Sequence, residues 1–141
     1  MNISQITISL GKDIPASRII EFWKANDISL SGTDNELDVA QAAAINPQLF
    51  LIALYDSEIV GTVWGNFDGR RGYVVHFAVR RNVRKLGIGK LLMDKLEDEF
   101  RAIGCKKVHL FIETSNRVVE PYYARRGYKK RDDLILMSKD L

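Results

Sequence analysis

The stretch Arg84-Lys85-Leu86-Gly87-Ile88-Gly89-Lys90 carries the most specific chemistry in the chain. Upstream, Tyr73-Val74-Val75-His76-Phe77-Ala78-Val79 is aromatic and β-branched, free of Gly and Pro, and predicts a buried strand. Downstream, Ile88, Leu92, Leu96, Phe100 and Ile103 recur at helical spacing until Gly104 ends the pattern. Strand, glycine loop and helix in succession make an anion site. The first amides of a helix have no intrahelical acceptor, and glycine lets a ligand come close to the backbone. Arg80, Arg81, Arg84, Lys85 and Lys90 crowd the positive end of the helix dipole, where cations are unfavourable. An anion in the gap resolves that conflict, so phosphate binding is the expectation.

What the loop lacks narrows the ligand. A Walker loop requires Gly-x-x-x-x-Gly-Lys followed by Ser or Thr to hold Mg²⁺. Here Arg84 stands five positions before Gly89, and Leu91 follows Lys90. A dinucleotide fingerprint requires a third glycine three positions after the second, where this chain has Leu92. Neither nucleotide motif fits.

The elements that must position this loop can be read on either side of it. With 141 residues, 46% hydrophobic and 28% charged, the chain is expected to form one domain, 1–141, with a real core. Its net charge of +3 gathers near the glycine loop and in 125–131, which suits a ligand-binding surface rather than a nucleic-acid footprint. No apolar run approaches a membrane-spanning length, and Met1-Asn2 leads straight into a strand pattern, so neither membrane span nor signal peptide is expected. A single cysteine, Cys105, excludes an internal disulfide and suits a reducing cytoplasm. No metal site is expected, because His76, His109 and Cys105 lack ligand spacing.

Ile6, Ile8 and Leu10 alternate as in a first strand, and Asp13 and Pro15 announce a helix with Ile19, Ile20 and Trp23 on one face. Residues 29–35 read as a polar connector that could shape an acceptor pocket, followed by a helix from about Glu36 to Ile45. Phe50–Tyr55 and Ile59–Phe67 are apolar strands joined by a tight turn at Asp56-Ser57-Glu58. Asp68-Gly69 turns the chain into the Tyr73–Val79 strand. After the glycine loop and its helix, Lys107–Glu113 predicts a strand parallel to Tyr73–Val79 through a right-handed crossover. Residues 128–138 read as a closing hairpin around Asp132-Asp133.

Arg-x-x-Gly-x-Gly after a strand resembles the pyrophosphate loop of the GNAT superfamily, the acyl-CoA-dependent N-acetyltransferases. A second group of residues carries the same resemblance. Members often have an Asn after the fifth strand, a Tyr seven positions later and a Gly-aromatic pair beyond it, and Asn116, Tyr123, Gly127 and Tyr128 match. Pro121 departs from the usual pattern and is expected to shorten or kink the small helix there. The stretches Ile59–Gly65 and Asp68–Gly72 further resemble the small bacterial YpeA-type subgroup.

The resemblance implies an α/β (α+β) fold: a mixed, mostly antiparallel sheet of six or seven strands, helices on both faces, and a splayed parallel strand pair at the centre. It implies direct acetyl transfer from acetyl-CoA to a primary amine of a small molecule or a protein, without a metal. Phe77, Ala78 and Val79 would hold pantetheine and the thioester oxygen through main-chain amides. Arg84, Lys85, Leu86, Gly87, Ile88, Gly89 and Lys90 would take the pyrophosphate, and Asn116 the pantetheine arm. Tyr123 would lie at the thioester, where a phenol suits protonation of the leaving thiolate. For the base, His76 titrates in the right range as a residue type, with Glu113 or a water-mediated route as alternatives. A non-catalytic acyl-CoA-binding module and a protein N-terminal acetyltransferase are the alternative functions, and pairing of sheet edges into a homodimer is an open possibility.

Overall fold

The computed structural model describes residues 1–141, which divide into two compact units, Met1–Leu110 and Phe111–Leu141.

In the first unit the strands β1 (Thr7–Leu10), β2 (Phe50–Tyr55), β3 (Glu58–Phe67), β4 (Gly72–Val79) and β5 (Val108–Leu110) form one sheet in sequence order. Neighbours are antiparallel from β1 to β4, and β5 runs parallel to β4. The β2–β3 turn is tight because Asp56 and Ser57 both take left-handed backbone angles, φ 47° and 66°, which match the strand twist of a hairpin. α1 (Ala16–Ala25) and α2 (Glu36–Ala43) connect β1 to β2, and α3 (Ile88–Ala102) makes the crossover from β4 to β5.

Both faces of the sheet are covered, which is why β2 and β3 are continuous apolar runs rather than alternating ones. On one face Ile19, Trp23, Val39 and Ala43 pack against Phe50, Ile52, Ile59, Trp64 and Ala78. On the other lie Ile88, Leu92, Leu96 and Phe100 of α3, all buried. The helix comes close because β3 presents glycine there: a Cβ at Gly61 would stand 2.9 Å from Leu92 Cδ1.

The structure corrects the sequence reading at three places. The sheet has five strands, not six or seven, so the parallel pair β4–β5 lies at its edge rather than its centre. The last strand spans Val108–Leu110 and not Lys107–Glu113. Residues 128–138 form no hairpin. A strand persists only when it is paired, and this segment is dense in charge. Its side chains satisfy one another locally, Arg131 with Asp133 and Lys130 with Asp132.

In the second unit a run of 3-10 turns (Thr114–Val119) leads into α4 (Glu120–Arg125). Pro121 does not kink α4: it falls in the first turn, where its missing N–H has no acceptor to lose. Gly127, at φ 95°, ends the helix.

Candidate functional site

β4 and α3 place the glycine loop as the sequence predicts. Gly87 is the N-cap of α3 at φ 98°, a left-handed angle that a side chain would strain, and it offers no side-chain acceptor. No acidic residue occupies the first turn, so the amides of Ile88, Gly89 and Lys90 open the helix uncapped. Lys85, at φ 66°, adds a second left-handed residue, and successive amides in such a turn point into a common concavity. Backbone amides left open at a helix N-terminus suit an anion.

The cations are arranged differently from the expectation that they all face an anion. Arg81 grips Asp27, at the end of α1, with Nε and Nη2, and Arg84 Nη2 donates to the same carboxylate at 3.2 Å. Hydrogen bonds from Arg81, then Arg84, hold Asp27 below the usual carboxylate range. Arg84 Nε donates to the Val79 carbonyl at 2.9 Å, and Lys90 pairs with Asp94 at 2.6 Å. Buried Asn26 completes the clasp, accepting from the Arg81 amide at 3.1 Å while donating to the Phe22 carbonyl at 2.8 Å. The loop is thereby fastened to the end of α1.

His76 lies where β4 departs from regular pairing. Val75 pairs with Trp64 and Ala78 with Thr62, so His76 and Phe77 together face the single residue Val63. This is a β-bulge, and it gives His76 a left-handed φ of 50° and re-aims its side chain. Beyond the bulge, Val79 pairs with Gly61. Pairing with β5 stops at Val74, so the Phe77–Val79 segment named from sequence lies past the end of the parallel ladder.

The His76 ring lines a cleft of about 380 Å³ with Ser31, Thr33, Asp34, Asp38, Trp64 and Asn66. Its Nε2 lies 2.7 Å from Asp34 Oδ1, and the Asp34 side chain is only 10% exposed. The other Asp34 oxygen accepts from the Ser31 amide at 2.8 Å and the Ser31 hydroxyl at 3.2 Å. Burial by itself would raise the Asp34 pKa, but the Ser31 amide and the His76 ring outweigh it and hold the carboxyl below 3.8.

The ring is packed as well as bonded. The edge of Trp23 meets it at a centroid distance of 4.5 Å, with Trp64 at 6.2 Å. Fully buried Thr62 accepts from Trp23 Nε1 at 3.0 Å and donates to the His76 carbonyl at 2.9 Å, fixing ring wall and bulge together. Thr62→Val is therefore expected to destabilise the fold by about 1–3 kcal/mol, since it strands a buried indole N–H. Urea unfolding measures this, and a loss under about half a kilocalorie would refute the role given to the hydroxyl.

The remaining sequence candidates lie in the second unit. Asn116 is exposed, at the break between two 3-10 turns, and its amide donates to the Glu113 carbonyl at 2.8 Å. Tyr123 sits on α4, with the rings of Tyr122 and Tyr128 at 5.3 and 5.8 Å. Burial, then the neighbouring Tyr122, pushes the Tyr123 phenol well above its ordinary range, with Arg126 pulling the other way.

Sequence reasoning missed Asp34, Asp38 and Thr62. Asp34 was visible only as one polar residue of the 29–35 connector, because its partner His76 lies 42 positions away.

Five strands with one parallel pair, helices on both faces and a helix opened by glycine after a bulged strand make up a fold shared with solved acetyltransferase structures. The chain belongs to the GNAT acetyltransferase family, which it matches over residues 18–128, across both units. It is an acyltransferase. An acetyltransferase of Sodalis glossinidius is 32% identical over 123 residues, covering 87% of each chain. One from Pectobacterium atrosepticum is 34% identical over 118 residues, 84% of each. Among solved structures, the PaiA N-acetyltransferase of Thermoplasma acidophilum in complex with coenzyme A superposes with a TM-score of 0.76. It has 18% identity, over 90% of this chain and 91% of that one. No helix is long and apolar enough to cross a membrane.

Proposed function

We propose that the whole chain, 1–141, works as one N-acetyltransferase domain that moves the acetyl group of acetyl-CoA directly onto a primary amine of a small molecule. The observation that carries the cofactor reading is the uncapped start of α3, in the glycine loop that follows β4. Gly87, Ile88, Gly89 and Lys90 hold the pyrophosphate with their amides, aided by Arg84, Lys85 and the Leu86 backbone. Phe77, Ala78 and Val79 bind the pantetheine and the thioester oxygen, and Asn116 the pantetheine arm.

The reaction needs a neutral amine, a stabilised oxyanion and a protonated leaving group. His76 accepts the proton the amine loses as its nitrogen bonds to the acetyl carbon. The carbon–sulfur bond breaks, and Tyr123 gives its proton to the departing thiolate. Burial keeps the phenol protonated until the thiolate departs but also weakens it as an acid, so the transfer is driven by solvent returning the proton to the phenolate. The cleft beside His76 holds the carboxylates of Asp34 and Asp38 and no Lys or Arg, which supports a small acceptor bearing a further positive charge. We assign the enzyme to the cytoplasm, where Cys105 stays a free thiol.

A panel of small amines, diamines and peptides with acetyl-CoA, read by free thiol release, tests this. Diamines and polyamines are expected to turn over best. Preference for peptide α-amines would make it a protein N-terminal acetyltransferase, and CoA binding with no turnover on any amine would make it a regulatory module.

A further inference from the structure

We infer that Asp34 is a positioning residue for the reaction: its carboxylate fixes the His76 imidazole with the proton on Nε2, so that Nδ1 is the atom that takes the proton from the acceptor amine. The inference rests on the acetyltransferase reading above and on His76 as its base.

A neutral imidazole carries one proton, and the hydrogen bond made by one nitrogen decides which of the two holds it. Here Asp34 Oδ1 lies 2.7 Å from Nε2, and an ionised carboxylate can only accept. Nε2 must then be the donor, which leaves the lone pair on Nδ1. Asp34 is an anion wherever an imidazole titrates, because its contacts hold it below 3.8.

The carboxylate is itself held in place. Its second oxygen takes both Ser31 donors, and the Asp34 amide closes a turn onto the Ser31 carbonyl at 3.0 Å. Asn35 caps α2 through the Asp38 amide at 2.9 Å and ties back to the Gly32 carbonyl, so the connector is fixed at both ends. From the other side, Trp23 blocks rotation of the ring and Thr62 fixes its backbone. The ring's side-chain hydrogen bond is made by Nε2, to Asp34, and the ring borders the cleft. The charged side chains facing that cleft besides His76 are Asp34 on the connector and Asp38 on α2. Asp38 is engaged by Asn35 Nδ2 at 2.7 Å rather than by the ring.

As the amine attacks, its N–H bond breaks, the proton joins Nδ1, and the imidazolium so formed lies against the Asp34 anion. Asp34 keeps its charge throughout and takes no proton. An opposite charge at this distance stabilises the imidazolium as it forms.

¹⁵N NMR of the protein alone, comparing the parent chain with Asp34→Asn, tests this without any acceptor. The parent is expected to show the proton on Nε2, and the variant, whose amide can donate to Nε2, should move it to Nδ1. A proton resident on Nδ1 in the parent, or a tautomer unchanged in the variant, would overturn the inference. With the best amine of the panel, Asp34→Asn should lower kcat on the order of tenfold or more at unchanged KM for acetyl-CoA. Asp34→Glu should restore part of it. Added to His76→Gln, the Asp34→Asn change should cost nothing further, because the two act as one unit. Wild-type kcat in Asp34→Asn while His76→Gln is impaired would sink the role of Asp34 and leave the base standing. Wild-type kcat in His76→Gln would instead remove the base.

Discussion

Tyr123→Phe is expected to turn over on the order of a hundredfold or more slowly, while binding acetyl-CoA as tightly as the parent chain. The expectation follows from where the hydroxyl acts. A phenol kept protonated by burial has no charge to offer the ground state, and its proton matters only as the thiolate departs. Loss of such a group lowers kcat and kcat/KM together, leaving cofactor affinity unchanged. Tyr122→Phe is the control, since it removes the same hydroxyl from the adjacent residue of α4, about 100° round the helix. Both rings pack edge to face, so neither substitution deletes the aromatic contact. Rates should be compared at saturating acceptor in single turnovers, where chemistry is isolated from product release. If Tyr123→Phe then reacts at the parent rate, the phenol is a packing residue and no acid.

Much of the first unit was legible because its signals are local. The β4 strand, the glycine loop and α3 form one contiguous stretch, and its period changes from strand to helix across the glycines. The turn at Asp56-Ser57 and the Gly104 stop were visible for the same reason. What escaped was pairing. His76 could be recognised as a titratable residue on a strand, but the bulge that re-aims it depends on its register against Val63. Asp34 and Thr62 matter through residues 42 and 14 positions away, and no spacing rule spans such gaps. The tail failed in the opposite direction. Leu134, Leu136 and Ser138 alternate against Ile135 and Met137 as in a hairpin strand, yet all five are exposed and none lies in a strand. Alternation describes a surface that could pair, and pairing still requires a neighbour.

Gly89→Val should weaken coenzyme A binding at least tenfold, about 1.4 kcal/mol, while leaving the fold intact. Gly89 is the better site for this test than Gly87. Valine at Gly87 would meet a φ of 98° and strain the backbone, so lost affinity could not be separated from a damaged loop. Gly89 lies inside the first turn of α3, whose helical angles valine adopts at a modest cost in propensity. The substitution leaves the amide in place and adds a branched side chain beside it, so it blocks approach without removing the donor. Salt supplies an independent readout. Phosphates held by amides and by Arg84 and Lys85 should bind more weakly as ionic strength rises, because screening shortens the reach of exposed charges. In Gly89→Val the residual affinity should keep that salt dependence, since the side-chain cations are untouched. Calorimetric titration with coenzyme A at two salt concentrations measures both effects on one sample. Parent-like affinity in a folded Gly89→Val chain would mean the pyrophosphate is seated elsewhere, and the start of α3 would lose its assignment.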